Sequence, residues 1–167
     1  MLLFFRTLWK ALTLWRRPPL EPLGTSILVF RVWLNDLDLN IHMNNGRFLS
    51  VMDLGRYDLT FRMGLGRIMF RHRWQGLVGG ITMRYRRSLD PLERYELHTR
   101  LLGWDEKWFF LEQRFLNRQG ALAAEGVVKA LFRGKGGNIA VTEVLRQMGF
   151  EGTAPTLPEA IRRWAEG

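Results

Sequence analysis

One short polar segment collects side chains that can carry acid–base chemistry. Residues 36–45 read DLDLNIHMNN and contain two carboxylates, one imidazole and three carboxamides: Asp36, Asp38, His42, Asn40, Asn44 and Asn45. A carboxylate can activate a water molecule as a general base, or attack a carbonyl carbon itself. Asp38 is the candidate reactive group, and Asp36 is the candidate for stabilising the turn.

The residues after this segment predict a long, mostly buried helix over residues 47–63. Phe48, Met52, Gly55 and Leu59 recur at helical spacing, and either Asn44 or Asn45 suits the N-cap. The N-terminus of a helix offers free backbone N–H groups and the positive end of the helix dipole. The polar segment therefore precedes a place where developing negative charge can be stabilised.

The remaining pattern predicts an α+β fold with one antiparallel sheet of about five strands curved around that helix. A strand is predicted at residues 27–34, and four meandering strands at 77–87, 95–102, 107–116 and 121–132. Residues 67–76 are expected to be a basic connection and residues 134–138 a flexible tether. Short helices are expected at residues 141–150 and 157–165.

Composition limits the chemistry. The 167 residues suit one domain, and the absence of cysteine excludes disulfides, thiolate zinc sites and a cysteine nucleophile. No two histidines have metal-ligand spacing, so a metal site is not expected. The net charge of +9 comes mostly from arginine and suits nucleic acid, an anionic membrane, or an acidic carrier or phosphorylated ligand. A nucleic-acid partner is not expected, because no recognition motif is visible.

The first segment is apolar with a narrow basic stripe at Arg6, Lys10 and Arg17. Residues 1–20 are too short to span a bilayer and lack the features of a signal peptide. They predict an amphipathic helix, which either contacts a membrane surface through residues 1–17 or docks on its own domain or a dimer partner. We expect a domain at residues 21–137, a helical extension at 138–167, and a cytoplasmic location with peripheral contact at the inner membrane surface.

The polar segment also resembles a known family. Its pattern Asp-x-Asp-x-x-x-His-x-Asn-Asn before a central helix resembles the single-hotdog acyl thioesterases, the 4-hydroxybenzoyl-CoA thioesterase-like superfamily. Residues 38–45 are similar to the Asp-Asn-His segment of the plastid acyl-carrier-protein thioesterases. Residues 83–89 (MRYRRSL), 101–106 (LLGWDE) and 111–115 (LEQRF) resemble the thioesterase superfamily member 6 group, which also begins with a hydrophobic stretch. The resemblance covers about residues 27–132.

This resemblance implies a hotdog fold, a homodimer or dimer of dimers, and hydrolysis of acyl-CoA or acyl-carrier-protein thioesters of fatty acid metabolism. Asp38 would be the catalytic base or nucleophile. Asn40 and His42 would occupy the orienting and polarising positions of the plastid enzymes. Oxyanion and substrate contacts would come from Asn44, Asn45, Gly46, Phe48 and Gln75. Contacts with the phosphates of CoA or of a carrier would come from Arg84, Arg86 and Arg87. No cofactor is implied, because a thioester is already activated.

Three positions depart from the family pattern. Ile41 stands where many relatives carry glycine, Phe48 stands where tyrosine is usual, and Gln75 lies where the plastid enzymes carry a further glutamate. These departures keep a second function open, a non-catalytic acyl-CoA or lipid-binding protein at a membrane surface. A hotdog hydratase is a weaker alternative, because His42 comes one residue too early and the expected proline is missing.

Overall fold

Within residues 17–166, which the computed structural model describes, six strands form one antiparallel sheet. They are β1 (Thr25–Arg31), β2 (Gln75–Tyr85), β3 (Arg94–Trp104), β4 (Phe109–Leu116), β5 (Leu122–Gly134) and β6 (Gly137–Ile139). The sheet order is β1-β3-β4-β5-β2, and β6 pairs with the end of β5. The predicted N-terminal helix falls mostly on residues 1–16, outside the described residues.

The sheet curves around one long helix, α1 (Asn45–Arg62). Three shorter helices among the described residues are α2 (Leu65–His72), α3 (Val141–Met148) and α4 (Glu159–Glu166). The predicted α+β architecture is confirmed, and so is the long helix, with bounds displaced by one or two residues. No helix in this part of the chain combines the length and the apolar character that a bilayer crossing requires.

Two predictions about the connections are wrong. The meander fails at β2, which pairs with β5 at the far edge of the sheet, while β3 pairs with β1. Residues 67–76 are not a simple connection, because α2 forms and buries Leu65, while Ile68 and Met69 pack against a cluster shared with α3. Burial in the tertiary structure therefore overrides the basic composition of this segment.

The expected tether at residues 134–138 is also partly wrong, since β6 forms there and pairs Ile139 with Phe132 of β5. The two predicted C-terminal helices are confirmed as α3 and α4. The α3 helix packs against α2 through Val141 and Val144, whereas Trp164 of α4 lies against Gly80 of β2 and Lys129 of β5.

The main core fills the space between α1 and the sheet. Phe48, Val51 and Met52 of α1 pack against Leu97 of β3 and Phe115 of β4. Gly55 lets the helix approach the sheet closely, because a Cβ there would collide with the side chains of Thr99 and Leu97. This close contact fixes the first turn of α1 relative to the strand ends around it.

Candidate active site

The polar segment folds as a small hairpin in front of α1. Leu37 and Met43 form an antiparallel bridge, and Asp38 N donates a hydrogen bond to the His42 carbonyl at 2.9 Å. Ile41 N closes the turn by donating to the Asp38 carbonyl at 3.1 Å. The hairpin thereby holds Asp38 and His42 side by side ahead of the helix.

One carboxylate oxygen of Asp38 is fixed by the turn itself. Asp38 Oδ1 accepts hydrogen bonds from Asn40 N at 2.9 Å and from His42 N at 3.5 Å. The side chain is partly buried, and Oδ2 has no hydrogen-bond partner among the described residues. A carboxylate held in this way keeps one oxygen available to a ligand or a water molecule.

Ile41 has a positive φ of 61°, in the left-handed region of the backbone. A three-residue hairpin loop commonly ends with a residue in this conformation, which glycine adopts without strain. A β-branched residue is an outlier there. The departure from the family pattern at this position therefore places a strained residue between Asn40 and His42.

Asp36, in contrast to Asp38, is buried and stabilises the fold around the hairpin. Its side chain is 2% exposed, and its Oδ2 accepts from Trp33 N at 3.0 Å. Its Oδ1 lies 3.7 Å from Arg47 Nε, and its carbonyl accepts from Asn44 N at 2.8 Å. Asp36 thus ties the hairpin to the first turn of α1, in agreement with its predicted role in the turn.

Asn44 is the N-cap of α1. Its side-chain oxygen accepts from Gly46 N at 2.8 Å, and its carbonyl accepts from Arg47 N at 2.8 Å. These bonds, and the one from Asn44 N to Asp36, occupy the backbone donors of residues 44, 46 and 47. In the described part of the chain, Asn45 N–H is the donor of this turn that has no partner, so it is the best available oxyanion donor.

Aromatic side chains cover the sheet side of this first turn. Phe48 is buried, and its ring meets Tyr85 and Phe115 edge to face, with centroids 5.4 Å and 4.8 Å away. The Tyr85 hydroxyl donates to the Asn45 carbonyl at 3.2 Å, and burial raises the pKa of Tyr85 above its ordinary value. The phenol therefore stays protonated at neutral pH and brings a hydroxyl next to Asn45.

His42 faces a carboxylate that the sequence did not indicate. Asp90, in the connection between β2 and β3, lies with Oδ1 3.7 Å from His42 Nε2. The same connection pairs with the hairpin through Met43 N, which donates to the Leu89 carbonyl at 3.0 Å. Asp90 can therefore attract a protonated imidazole and orient it.

Most of the predicted site residues meet here, but Gln75 does not. It begins β2, whereas Tyr85 ends the same strand about 33 Å away, at roughly 3.3 Å per residue. Within one chain Gln75 is therefore far from Asp38.

Of the three predicted arginines, Arg84 lies on the opposite face of β2 from Tyr85, while Arg86 and Arg87 follow the strand. Arg86 Nη2 is 2.6 Å from Glu125 Oε1, and Arg84 Nη1 is 4.0 Å from the same oxygen. Arg87 follows the strand, is exposed, and has no ion pair among the described residues. Arg87 is therefore the least compensated charge of the three.

Sequence reasoning missed Asp90 and Tyr85. Asp90 precedes Pro91 in what looked like an ordinary break, and Tyr85 looked like an ordinary inward residue of an alternating strand. The one available signal was that Tyr85 ends its strand within the MRYRRSL run. Their relevance depends on β2 ending beside α1, which local patterns do not encode.

Comparisons with known proteins agree with this geometry. Residues 32–165 match the family model of the thioesterase-like superfamily. Protein THEM6 of Danio rerio is 35% identical over 164 residues, which cover 96% of this chain and 79% of that protein.

Two solved structures share the fold. The YbaW probable thioesterase from Escherichia coli superposes with a TM-score of 0.69 at 22% identity and covers 73% of this chain and 94% of its own. A hypothetical protein from Staphylococcus aureus, solved in complex with CoA, superposes with a TM-score of 0.69 at 15% identity and covers 85% and 94%. The predicted hotdog fold is thereby confirmed.

Proposed function

We propose that this chain, which belongs to the thioesterase-like superfamily, hydrolyses acyl thioesters to a free acid and a thiol. The observation that carries the proposal is the Asp38 carboxylate, held by the N–H groups of Asn40 and His42 just ahead of α1. Asn45 N–H remains open in the adjoining turn. A fixed carboxylate beside an open backbone donor supplies a base or nucleophile together with an oxyanion donor.

In the general-base route, Asp38 takes a proton from water while the water oxygen attacks the carbonyl carbon of the thioester. Asn45 N–H and the positive end of the α1 dipole stabilise the charge on the carbonyl oxygen. The C–S bond then breaks, and Asp38 returns the proton to the leaving thiolate. In the nucleophilic route, Asp38 bonds to the carbonyl carbon, the C–S bond breaks and the thiolate leaves. Water then hydrolyses the anhydride to the free acid and the Asp38 carboxylate, and the proton released protonates the thiolate.

Asn40 and His42 support this chemistry by orienting water and polarising the thioester. Asn40 is exposed at the tip of the hairpin, and its backbone N–H holds Asp38. His42 is half-buried against Asp90, which favours one ring orientation. We assign Asp90 to positioning His42, because a carboxylate partner commonly fixes the orientation and tautomer of an imidazole.

The test of this function is thioester hydrolysis over a series of acyl-CoA substrates. We expect thiol release above the spontaneous rate, and a decrease in kcat of about 10²–10⁴-fold in Asp38→Asn. Asp105→Asn is the matched control, since Asp105 Oδ1 also accepts two backbone N–H bonds, from Lys107 and Trp108, in a distant turn. Absence of hydrolysis by the unmodified chain would reject the function, and equal losses in both variants would reject the role of Asp38.

We propose CoA as the thiol carrier in preference to a carrier protein. The Staphylococcus aureus protein with this fold was solved with CoA, and Arg87 offers an uncompensated charge near the end of β2. Arginine binds phosphate oxygens through its planar fork. Arg87→Gln should raise KM for a CoA thioester more than for the corresponding dephospho-CoA thioester, whereas equal changes would argue against a phosphate contact.

We also propose a homodimer formed along the free edge of β2. Among the described residues β2 pairs on one edge with β5 and has no strand on the other edge. Unpaired strand edges favour pairing with a second chain. Antiparallel pairing centred on the middle of β2 would bring Gln75 of one copy next to Tyr85 of the other. Light scattering at assay concentration measures the molar mass, which distinguishes a monomer from a dimer and a tetramer.

The alternative function, lipid binding at a membrane surface, is favoured by one surface near the start of the described chain. Leu20 N donates to the Arg62 carbonyl, and Arg62 Nε donates to the Pro18 carbonyl, so the chain enters the domain beside α2. There Phe70 is 89% exposed and is flanked on α2 by exposed Arg67 and Arg71. A basic surface with an exposed aromatic ring suits an anionic bilayer.

Flotation with anionic vesicles tests this surface. Removal of residues 1–16 keeps Arg17 and should weaken binding, and Phe70→Ser should weaken it further. Leu34→Ser, which removes another strongly exposed apolar side chain elsewhere, should not change binding. Binding that is unchanged by both of the first two changes would count against membrane contact.

A further inference from the structure

A mostly apolar cavity lies beside the C-terminal half of α1, away from the hairpin that carries Asp38. Its volume is about 180 Å³. Tyr57 and Met63 of α1 form one wall, and Phe132 of β5 contributes to another. The C-terminal extension closes the cavity with three apolar side chains: Leu145, Met148 and Phe150. The cavity therefore depends on residues beyond the curved sheet and its central helix.

The charged side chains at this cavity are already paired. Arg56 Nη1 donates to Gln113 Oε1 at 2.8 Å, and Arg56 Nη2 forms an ion pair with Asp53. Burial lowers the pKa of Arg56, consistent with a weakly solvated surrounding. A charged ligand would find its counter-charge already used, whereas an apolar group would lose nothing on entering.

The volume indicates how much of a ligand the cavity can hold. An apolar protein cavity of about 150 Å³ holds one benzene molecule, so about 180 Å³ accommodates roughly six or seven carbon atoms. That is less than a whole fatty acyl chain and more than a short acyl group needs. A chain that fills the cavity must therefore reach it from elsewhere.

One face of α1 connects the candidate active site with the cavity. Asn45, Leu49, Asp53 and Tyr57 recur every four residues and so lie along one side of the helix. Leu49 is 38% exposed and bridges the open N–H of Asn45 and the cavity wall at Asp53. At 1.5 Å per residue the distance from Asn45 to Asp53 is about 12 Å. At about 1.2 Å per bond, an extended chain of roughly ten carbons spans it.

We propose that the cavity binds the methyl end of a long-chain fatty acyl group of about sixteen carbons, and that Leu145, Met148 and Phe150 limit the chain length. The inference rests on the proposed thioester hydrolysis for the location of the carbonyl carbon. The acyl chain follows the α1 face past Leu49 and ends against the C-terminal extension. Selection for chain length is thereby built into residues 141–150, far from the reacting atoms.

The experiment measures kcat/KM for acyl-CoA substrates of eight, twelve and sixteen carbons. We expect the unmodified chain to prefer sixteen carbons. Met148→Trp fills the cavity and should lower kcat/KM for sixteen carbons by tenfold or more, with little change for eight carbons. The expectation follows because each buried methylene group contributes about a fourfold factor to binding. Phe150→Ala should shift the preference towards longer chains.

Thr142→Trp is the matched control, because Thr142 lies on the same helix α3 and is exposed. It should leave the chain-length profile unchanged. If Met148→Trp keeps the profile of the unmodified chain while Asp38→Asn abolishes turnover, the inference is wrong and the proposed function stands.

Direct binding separates the inference from the proposed function. Calorimetric titration uses the thioether analogues octyl-CoA and hexadecyl-CoA, which cannot be hydrolysed. We expect the unmodified chain to bind hexadecyl-CoA more tightly, and Met148→Trp to lose that preference by tenfold or more. If no substrate is hydrolysed but this difference appears, the proposed function fails and the acyl site stands. Equal affinities for both analogues in the unmodified chain would overturn the acyl site.

Discussion

The carboxylates near the two ends of α1 differ in burial and in hydrogen-bond partners. In the C-terminal half, Asp58 is fully buried, and its Oδ2 accepts from Arg17 at 2.8 Å, from Arg62 at 3.2 Å and from Ser26. Ahead of the N-terminal end, Asp38 is partly exposed, and Oδ1 accepts from backbone N–H groups of its own turn. A carboxylate within α1 and one just ahead of it are thus bound by very different partners.

The difference separates stability from chemistry. Two arginines and one serine from three segments bond Asp58, and they fix the start of the described chain and β1 to α1. Asp38 is bonded within its own hairpin, so one of its oxygens and the nearby Asn45 N–H remain open to a ligand. A buried polar group with strong partners stabilises a fold, whereas a fixed carboxylate with an oxygen available to a ligand can react.

The largest expected effect comes from removing the buried carboxylate. Asp58→Ala leaves Arg17 and Arg62 without their shared partner and should lower the free energy of unfolding by about 3–5 kcal/mol. Chemical denaturation measures this loss. Glu112→Ala, which breaks the more exposed pair with Arg100, should cost about 1 kcal/mol or less. Similar losses in both variants would remove the contrast between the two ends of α1.

A smaller effect should follow at the N-terminal end from Tyr85→Phe. This change removes the hydroxyl that donates to the Asn45 carbonyl at 3.2 Å and keeps the ring against Phe48. A hydrogen bond of this kind contributes about 0.5–1.5 kcal/mol, so kcat/KM should fall by up to about tenfold. Tyr57→Phe removes a hydroxyl from the same side of α1 and should leave kcat/KM for an eight-carbon substrate unchanged. Steady-state kinetics on both variants provides the comparison, and an unaltered Tyr85→Phe enzyme would mean that the hydroxyl is incidental.

The smallest effect concerns the strained residue of the hairpin. Ile41→Gly relieves a left-handed conformation that costs about 1–2 kcal/mol, but it also adds freedom to the unfolded chain, so the net gain in stability should be about 1 kcal/mol or less. Leu39→Gly, in the same exposed loop without a positive φ, adds the freedom alone and should destabilise slightly. Denaturation midpoints of both variants measure the difference, and a loss at Ile41 as large as that at Leu39 would show that the backbone there carries no strain.

Local sequence patterns predicted the helices and strands whose apolar residues follow a regular spacing. The apolar spacing of Phe48, Met52 and Leu59 predicts α1, and alternation predicts β2 and β3, because both patterns reflect burial of one face. Asn44 as the N-cap also follows from local chemistry, since its side chain bonds a backbone group two residues away. The hydrogen bonds of Asp38 are local in the same sense.

Features that join distant segments were not predictable in this way. The pattern of residues 67–76 predicts a connection and not the α2 helix, because the burial of α2 depends on contact with α3, more than seventy residues later. The pairing of β2 with β5 was missed, because strand order is decided by how the whole sheet closes around α1. Asp90 and Tyr85 reach the candidate site only through that order.

The sequence by itself determined the α+β class, the family resemblance, the central helix and the polar turn that carries Asp38, because each depends on spacing within about twenty residues. The tertiary structure decided that Gln75 lies far from Asp38 in one chain, that Asn45 keeps the open N–H, and that the C-terminal extension closes an apolar cavity. These outcomes depend on which surfaces meet when the chain packs, and packing is a property of the whole chain.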